Sequence, residues 1–201
     1  MKEQSLKRAM ESLQIESKAI ADIADYLDVP AFVEAVEVLC KCNKIITCAS
    51  GTSGIAAKKI SHSLCCIERD AFFMSPAEAV HGGLGGLKKD DAMIMISRGG
   101  GTVELLPIID VCKKKRATLI GITENLNSPL AKSADIVLPL KIERESDKYN
   151  VMATASFVAT VALLDALLVA IMEEANYRLE QFALIHPGGA VGALLNKADD
   201  K

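Results

Sequence analysis

His186-Pro187-Gly188-Gly189-Ala190 sets one of the chain's three histidines beside a proline and two glycines. That setting favours a rigid, exposed turn over a packed core. An imidazole held on such a turn can titrate near neutrality and serve as acid or base; a solvated loop histidine is the plainer alternative. Upstream, Ala49-Ser50-Gly51-Thr52-Ser53-Gly54 joins a β-rich run to a helical pattern. Its glycines let backbone amides converge, and a helix N-terminus carries partial positive charge. The Thr52 and Ser53 hydroxyls add donors. A phosphate monoester needs such a concave set of donors, although an ordinary capped turn has the same composition. The run is not a Walker A loop, because no Gly-Lys-Ser/Thr follows, and it lacks the Gly-x-Gly-x-x-Gly of dinucleotide sites. Ser97-Arg98-Gly99-Gly100-Gly101-Thr102 repeats the design after a later strand. Two such turns at one sheet edge are harder to explain by capping alone. Glu104 follows the second turn, either as a carboxylate favoured by the helix dipole or as a general base beside a bound phosphate ester. His81 lies in a third region, 75–85, which reads as a short helix ending in glycines, where a dipole-stabilised cap is a sufficient explanation. Glu145 stands in the charged stretch 143–148, where a solvated ion pair is the default expectation.

Something must hold these residues in place. Apolar residues at helical spacing predict a helix over 5–27, and Pro30 opens a second over 31–42. Short β-rich runs follow at 44–49, 71–74, 92–97, 118–123 and 136–140, separated by helical patterns over 54–64 and 102–113. The runs are apolar without alternation, which predicts strands covered on both faces. Strands alternating with helices predict a parallel, doubly wound α/β sheet with its ligand sites at the C-terminal strand ends. A long helix over 153–175 closes the pattern. Residues 1–201 read as one domain, with N-terminal helices over 1–42 and a ligand-binding core over 43–195.

Composition narrows the function. With 23 Lys and Arg against 26 Asp and Glu, the net charge of −3 offers no basic field for nucleic acid. The chain has no Trp, three Tyr and five Phe, too few for base-stacking platforms. Lys113-Lys114-Lys115-Arg116 reads as a solvated helix end. The six cysteines make no Cys-x-x-Cys pair, so neither a zinc knuckle nor any other metal site is expected. Residues 1–13 are charged throughout, unlike a signal peptide. The apolar stretch 157–172 is broken by Asp165 and falls short of the roughly 20 residues of a membrane span. A reducing, cytoplasmic location without membrane contact is the expectation.

Taken together, these segments resemble the SIS (sugar isomerase) domain family, in particular its arabinose-5-phosphate isomerase branch. The likeness is carried by Gly51-Thr52-Ser53-Gly54, Ser75-Pro76-Ala77-Glu78-Ala79-Val80-His81-Gly82, Ser97 through Leu106, Gly121-Ile122-Thr123, Ser128-Pro129-Leu130-Ala131, Ala134-Asp135, Asp165-Ala166-Leu167 and His186-Pro187-Gly188-Gly189-Ala190-Val191-Gly192. The resemblance runs from about Val38 to Leu195. It implies a flavodoxin-like αβα sandwich with a five-stranded parallel sheet, self-association as a dimer or tetramer, and sites between subunits. It implies a carbohydrate-metabolism enzyme that isomerises a sugar phosphate without a cofactor. Glu104, Glu145 and His186 fall on the branch's catalytic positions, and Ser50, Gly51, Thr52, Ser53, His81, Ser97, Arg98 and Thr102 on or beside its substrate-binding segments. Three features depart from the branch. Thr52 stands where the family has a lysine, Gly99 and Gly101 replace a serine and a glutamate, and Ser146-Asp147-Lys148-Tyr149 follows Glu145 where the branch carries Cys-Pro-Leu. Arg98 is expected to restore the missing cation and grip the phosphate. The regulatory CBS pair common in the branch is not expected in this chain. A sugar-phosphate sensor without catalysis is the alternative reading. A free carboxylate has a pKa of about 4.3, so an efficient base needs surroundings that raise it.

Overall fold

Side chains alternate across a strand, so a strand covered on both sides serves two cores. In this computed structural model, which describes residues 3–186 and 188, Ile45, Ile94, Ile96, Ile120, Ile122 and Leu138 enter one buried layer. Ile46, Met93, Met95 and Leu119 enter the other. The elements run α1 (Glu3–Ala21), α2 (Ile23–Tyr26), α3 (Val29–Lys41), β1 (Ile45–Cys48), α4 (Gly51–Cys65), β2 (Ala71–Phe73), α5 (Pro76–Val80), β3 (Ala92–Ile96), α6 (Leu106–Lys115), β4 (Thr118–Thr123), α7 (Pro129–Ser133), β5 (Ile136–Pro139), α8 (Ala155–Glu174) and α9 (Leu179–Ile185). All five strands are parallel, in the order β2-β1-β3-β4-β5. The winding reverses between β1 and β3, so the loops leaving those two strands diverge and open a crevice at their C-terminal ends. Helices α1, α3, α4 and α8 cover one face; α5, α6 and α7 cover the other.

Several boundaries differ from expectation. The helix expected over 5–27 is interrupted at Asp22. Helix α4 begins at Gly51, so the first glycine-rich turn is the helix's own first turn. The helix expected from 102 starts as a 3-10 turn, Val103–Leu105, and α6 begins only at Leu106. Pro107 explains that boundary, since a residue without an amide hydrogen fits a helix only in its first turn. Strand β5 alternates buried and half-buried residues, as an edge strand can. Helix α8 is 20 residues long, and by length and composition alone it could cross a membrane. The shorter apolar stretch read from the sequence understated it. In the fold α8 is a core helix, with Ala159, Leu163, Leu164, Leu167 and Ile171 buried, and its Asp165 pairs with Lys59 of α4.

Candidate functional site

The first turn is built by close approach. A Cβ on Gly54 would lie 2.9 Å from the Ala49 carbonyl oxygen, so only glycine lets α4 start directly off β1. Gly51 sits at φ +58°, which glycine tolerates without strain. Ser50 occupies the N-cap position, yet its hydroxyl makes no capping bond, and the residue lines a cavity.

The second turn is pinned from below. The Ser97 amide donates to the Ile122 carbonyl at 3.0 Å, continuing the sheet past β3. The Ser97 and Thr102 hydroxyls bond each other at 2.8 Å, and the Gly100 amide donates to Ser97 Oγ at 3.1 Å. Gly100, at φ +65°, packs so tightly that a Cβ there would lie 2.0 Å from Ser128 Oγ. Ser97 is buried, so the pair of hydroxyls expected to meet phosphate is closed on itself.

Arg98 projects from this turn between two carboxylates. Its Nε donates to Glu124 at 2.6 Å and its Nη1 to Glu145 at 2.8 Å. Both partners neutralise the charge that was expected to grip the phosphate.

Glu145 departs further from expectation. It is fully buried rather than solvated. Its Oε1 accepts from Arg98 and from the Ser156 hydroxyl, and its Oε2 accepts from Thr154 N at 2.9 Å, Thr154 Oγ1 at 3.2 Å and Ser156 N at 3.1 Å. Thr154 is the N-cap residue of α8 but forms no side-chain cap. Glu145 therefore caps α8 from a distance, satisfying orphan amides and meeting the positive end of the dipole. Burial alone would raise its pKa. The bonds from Ser156 and Thr154, with the Arg98 charge, outweigh burial and lower it below the usual carboxylate value. A base needs the opposite. The loop that follows is ordered by Asp147, whose carboxylate accepts the amides of Tyr149, Val151 and Met152.

Two spaces open at this rim. A cleft of about 20 Å³ is lined by Thr52, Ser53, Arg98, Ser156 and Phe157, which brings the two turns together but leaves no room for a phosphoryl group. Beside it lies a cavity of about 590 Å³, walled by Ser50, Gly51, Lys58, Phe73, Ser75 and Glu104 among others. Glu104 is exposed to this cavity and makes no ion pair within 4.0 Å among the described residues. Lys58 and Phe73 were not singled out in the sequence, and Ser75 entered only within a segment of the family resemblance. A helical wheel would have shown Lys58, since 51, 54, 55 and 58 share one face.

The histidines stand apart. His81 is exposed at the C-cap of α5 and does not line the large cavity, although Ser75, Pro76, Ala77 and Val80 of the same region do. His186 ends α9, its ring stacked on Phe182 at 3.7 Å between centroids. Residues just before α9 and within it are moored to the far end of α4: the Tyr177 hydroxyl donates to the Cys66 carbonyl at 2.8 Å, and Gln181 Nε2 to Glu68 at 2.8 Å. With 15 residues, α4 holds that end about 22 Å from the Ser50 turn. Within one chain, His186 does not line the cavity that holds Glu104. Of the turn that follows it, Pro187, Gly189 and Ala190 lie outside the described residues. Among the described residues no group of three or more His, Cys, Asp or Glu could hold a metal ion.

The SIS domain family model matches residues 38–170. Arabinose 5-phosphate isomerase KdsD of Pseudomonas aeruginosa is 38% identical over 171 residues, 84% of this chain but 52% of its own length. The chain thus spans about half of that relative. Among solved structures, a proposed sugar-phosphate isomerase from Listeria monocytogenes superposes with a TM-score of 0.91 at 47% identity, covering 94% of this chain and 100% of that one. An Escherichia coli CFT073 protein in complex with arabinose 5-phosphate gives 0.87 at 30% identity, covering 93% and 100%.

Proposed function

The chain belongs to the SIS domain family, and we propose that it is a cofactor-independent aldose–ketose isomerase of pentose phosphates of the arabinose 5-phosphate and ribulose 5-phosphate kind. The observation that carries this reading is Glu104, an exposed carboxylate opening into a sugar-sized cavity of about 590 Å³ beside the first turn of α4. The relatives that handle arabinose 5-phosphate support the choice of substrate.

Glu104 takes the proton from C2 of the aldose. The C–H electrons become the C1–C2 double bond of an enediolate, and charge moves onto the C1 oxygen. Glu104 returns its proton to C1. A second acid–base group passes a proton from the C2 hydroxyl to the C1 oxygen, leaving the ketose. The substrate carbonyl supplies the delocalisation, so the step balances without a redox partner. His186 is assigned the second role, reaching the cavity of a neighbouring copy in a dimer or tetramer, because within its own chain it is moored elsewhere. Glu145 fixes Arg98 and α8 and abstracts nothing.

The phosphoryl group lies over the first turn, at Ser50, Gly51, Thr52 and Ser53, where α4 presents its free amides. Ser97 and Thr102 join once their hydroxyl pair exchanges partners, and Arg98 stays with Glu124 and Glu145. His81, exposed at its helix end, serves the site of a neighbouring copy. The protein works in the cytoplasm.

Incubation with arabinose 5-phosphate in heavy water tests the reading. Ketose formation with deuterium entering the sugar at C1 or C2 is expected. Tight binding without exchange would instead make the protein a sugar-phosphate sensor. Failure to bind any pentose or hexose phosphate would refute both readings.

A further inference from the structure

Two cations line the spaces at the C-terminal rim, and they are not equivalent. Arg98 serves two carboxylates, Glu124 at 2.6 Å and Glu145 at 2.8 Å. Lys58 has no carboxylate within 4.0 Å among the described residues. Its neighbour Lys59 turns the other way and pairs with Asp165 of α8. Helix register decides the difference: Gly51, Gly54, Ile55 and Lys58 share the α4 face that walls the large cavity.

The ammonium sits low on that wall. Its Nζ lies 5.0 Å from the centroid of Phe73. The Phe73 ring in turn lies 3.8 Å from where a Cβ on Gly54 would stand, level with the first turn of α4. Lys58 and Gly54 therefore both stand against Phe73, on the wall that Ser50 and Gly51 also line. The aromatic face orients the cation without cancelling its charge. Glu104 is the other charged group that lines this cavity. A phosphate ester entering beside a carboxylate needs a positive partner, and Arg98 is already neutralised.

We propose that Lys58 is the cation that pairs with the substrate's phosphoryl group in this cavity, beside the first turn of α4. The inference rests on the isomerase reading above and adds a substrate contact to it. The contact is electrostatic and present throughout the reaction, so it lowers KM more than it raises kcat.

Kinetics of the wild type, Lys58→Met and Lys58→Arg with arabinose 5-phosphate, at low and high salt, test it. Methionine keeps an unbranched apolar stem over Phe73 and removes only the charge. Lys58→Met should raise KM about tenfold or more with kcat little changed, and Lys58→Arg should restore most of the loss. Salt should raise KM in the wild type and barely affect it in Lys58→Met. Should Lys58→Met fold poorly, as judged by its thermal melt, Lys58→Gln takes its place. Wild-type KM and wild-type salt dependence in the charge-free variant overturn the assignment while leaving the isomerase reading intact. A wild type that neither turns over nor binds arabinose 5-phosphate overturns both.

Discussion

Replacing Glu145 by Gln separates a structural carboxylate from a catalytic one. Glutamine matches glutamate in shape but carries one acceptor and one donor. If its NH2 takes the Oε2 position, it faces the amides of Thr154 and Ser156 and the Thr154 hydroxyl, three donors with nowhere to turn except the hydroxyl. If it takes the Oε1 position, it faces Arg98, while the Ser156 hydroxyl can rotate to accept. The second orientation costs less, and it still removes one charged hydrogen bond inside a fully buried site. Losing such a bond and leaving a donor opposed costs about 2–3 kcal/mol. For a chain of this size that lowers Tm by about 4–12 °C. The pH dependence has a definite sign. The folded pKa of Glu145 lies below its ordinary value of 4.5. Its contribution to stability is therefore complete above pH 4.5 and is lost as pH falls through the depressed folded value. Urea denaturation of both proteins from pH 8 down to pH 3 should show a constant gap that narrows only below about pH 4.5. A Glu145→Gln protein with the wild-type urea midpoint and no turnover would refute this reasoning and make Glu145 the base.

The remaining predictions probe other parts of the same arrangement. Glu104→Gln should lower kcat by about 10²–10⁴-fold, as loss of a general base does, with the melting temperature unchanged because the side chain is exposed; unchanged turnover would remove Glu104 from the chemistry. Gly100→Ala should destabilise by about 2 kcal/mol or more, since φ is +65° and the new methyl would meet Ser128, whereas Gly99→Ala, with open space around it, should be near neutral; equal melting temperatures for the two would contradict the packing described. Cys48 and Cys112 are fully buried, and burial pushes both thiols up to about 12. A thiol reagent at pH 8 should label exposed Cys65 in the native protein and leave those two untouched until the chain unfolds; native labelling of Cys48 would show that the β1–α6 layer opens.

The five strands were legible because each is a short apolar run bounded by turn residues, and burial on both faces removes the alternation that would mimic a surface strand. Helix α9 was not read from the sequence: Leu179, Phe182 and Ala183 recur at helical spacing, but the helix has only seven residues, too short a window for the period to stand out. The two turns were legible from their glycines and hydroxyls, but not their state. Nothing local says that the Ser97 and Thr102 hydroxyls meet each other. Glu145 was misread for a physical reason. Its neighbours are charged, and the groups that bury it, Thr154 and Ser156, lie nine and eleven residues further on, at the start of a helix. Lys58 was hidden in a Lys-Lys pair, where only the register of α4 decides which lysine faces the cavity.

The charges at the rim bear on the proposed chemistry, because one carboxylate is unpaired among the described residues and the other is buried and paired. Arg98 is held by Glu124 and Glu145, so that trio carries a net negative charge and repels an incoming phosphate ester. The repulsion is tolerable because Glu145 is buried and its charge is spread over five donors, two of them the amides that open α8. Across the first turn, Glu104 and Lys58 face a space that a sugar can enter. Proton abstraction there needs a carboxylate that no donor has already satisfied, and anion binding needs a cation that no carboxylate has already neutralised. Glu104 and Lys58 meet those two conditions in one cavity, Lys58 from α4 and Glu104 from the turn before α6, whereas Glu145 and Arg98 pair with each other outside its lining. On the proposed isomerase reading, the chemistry lies in the cavity between the first turn of α4 and the Glu104 turn that leads from β3 into α6.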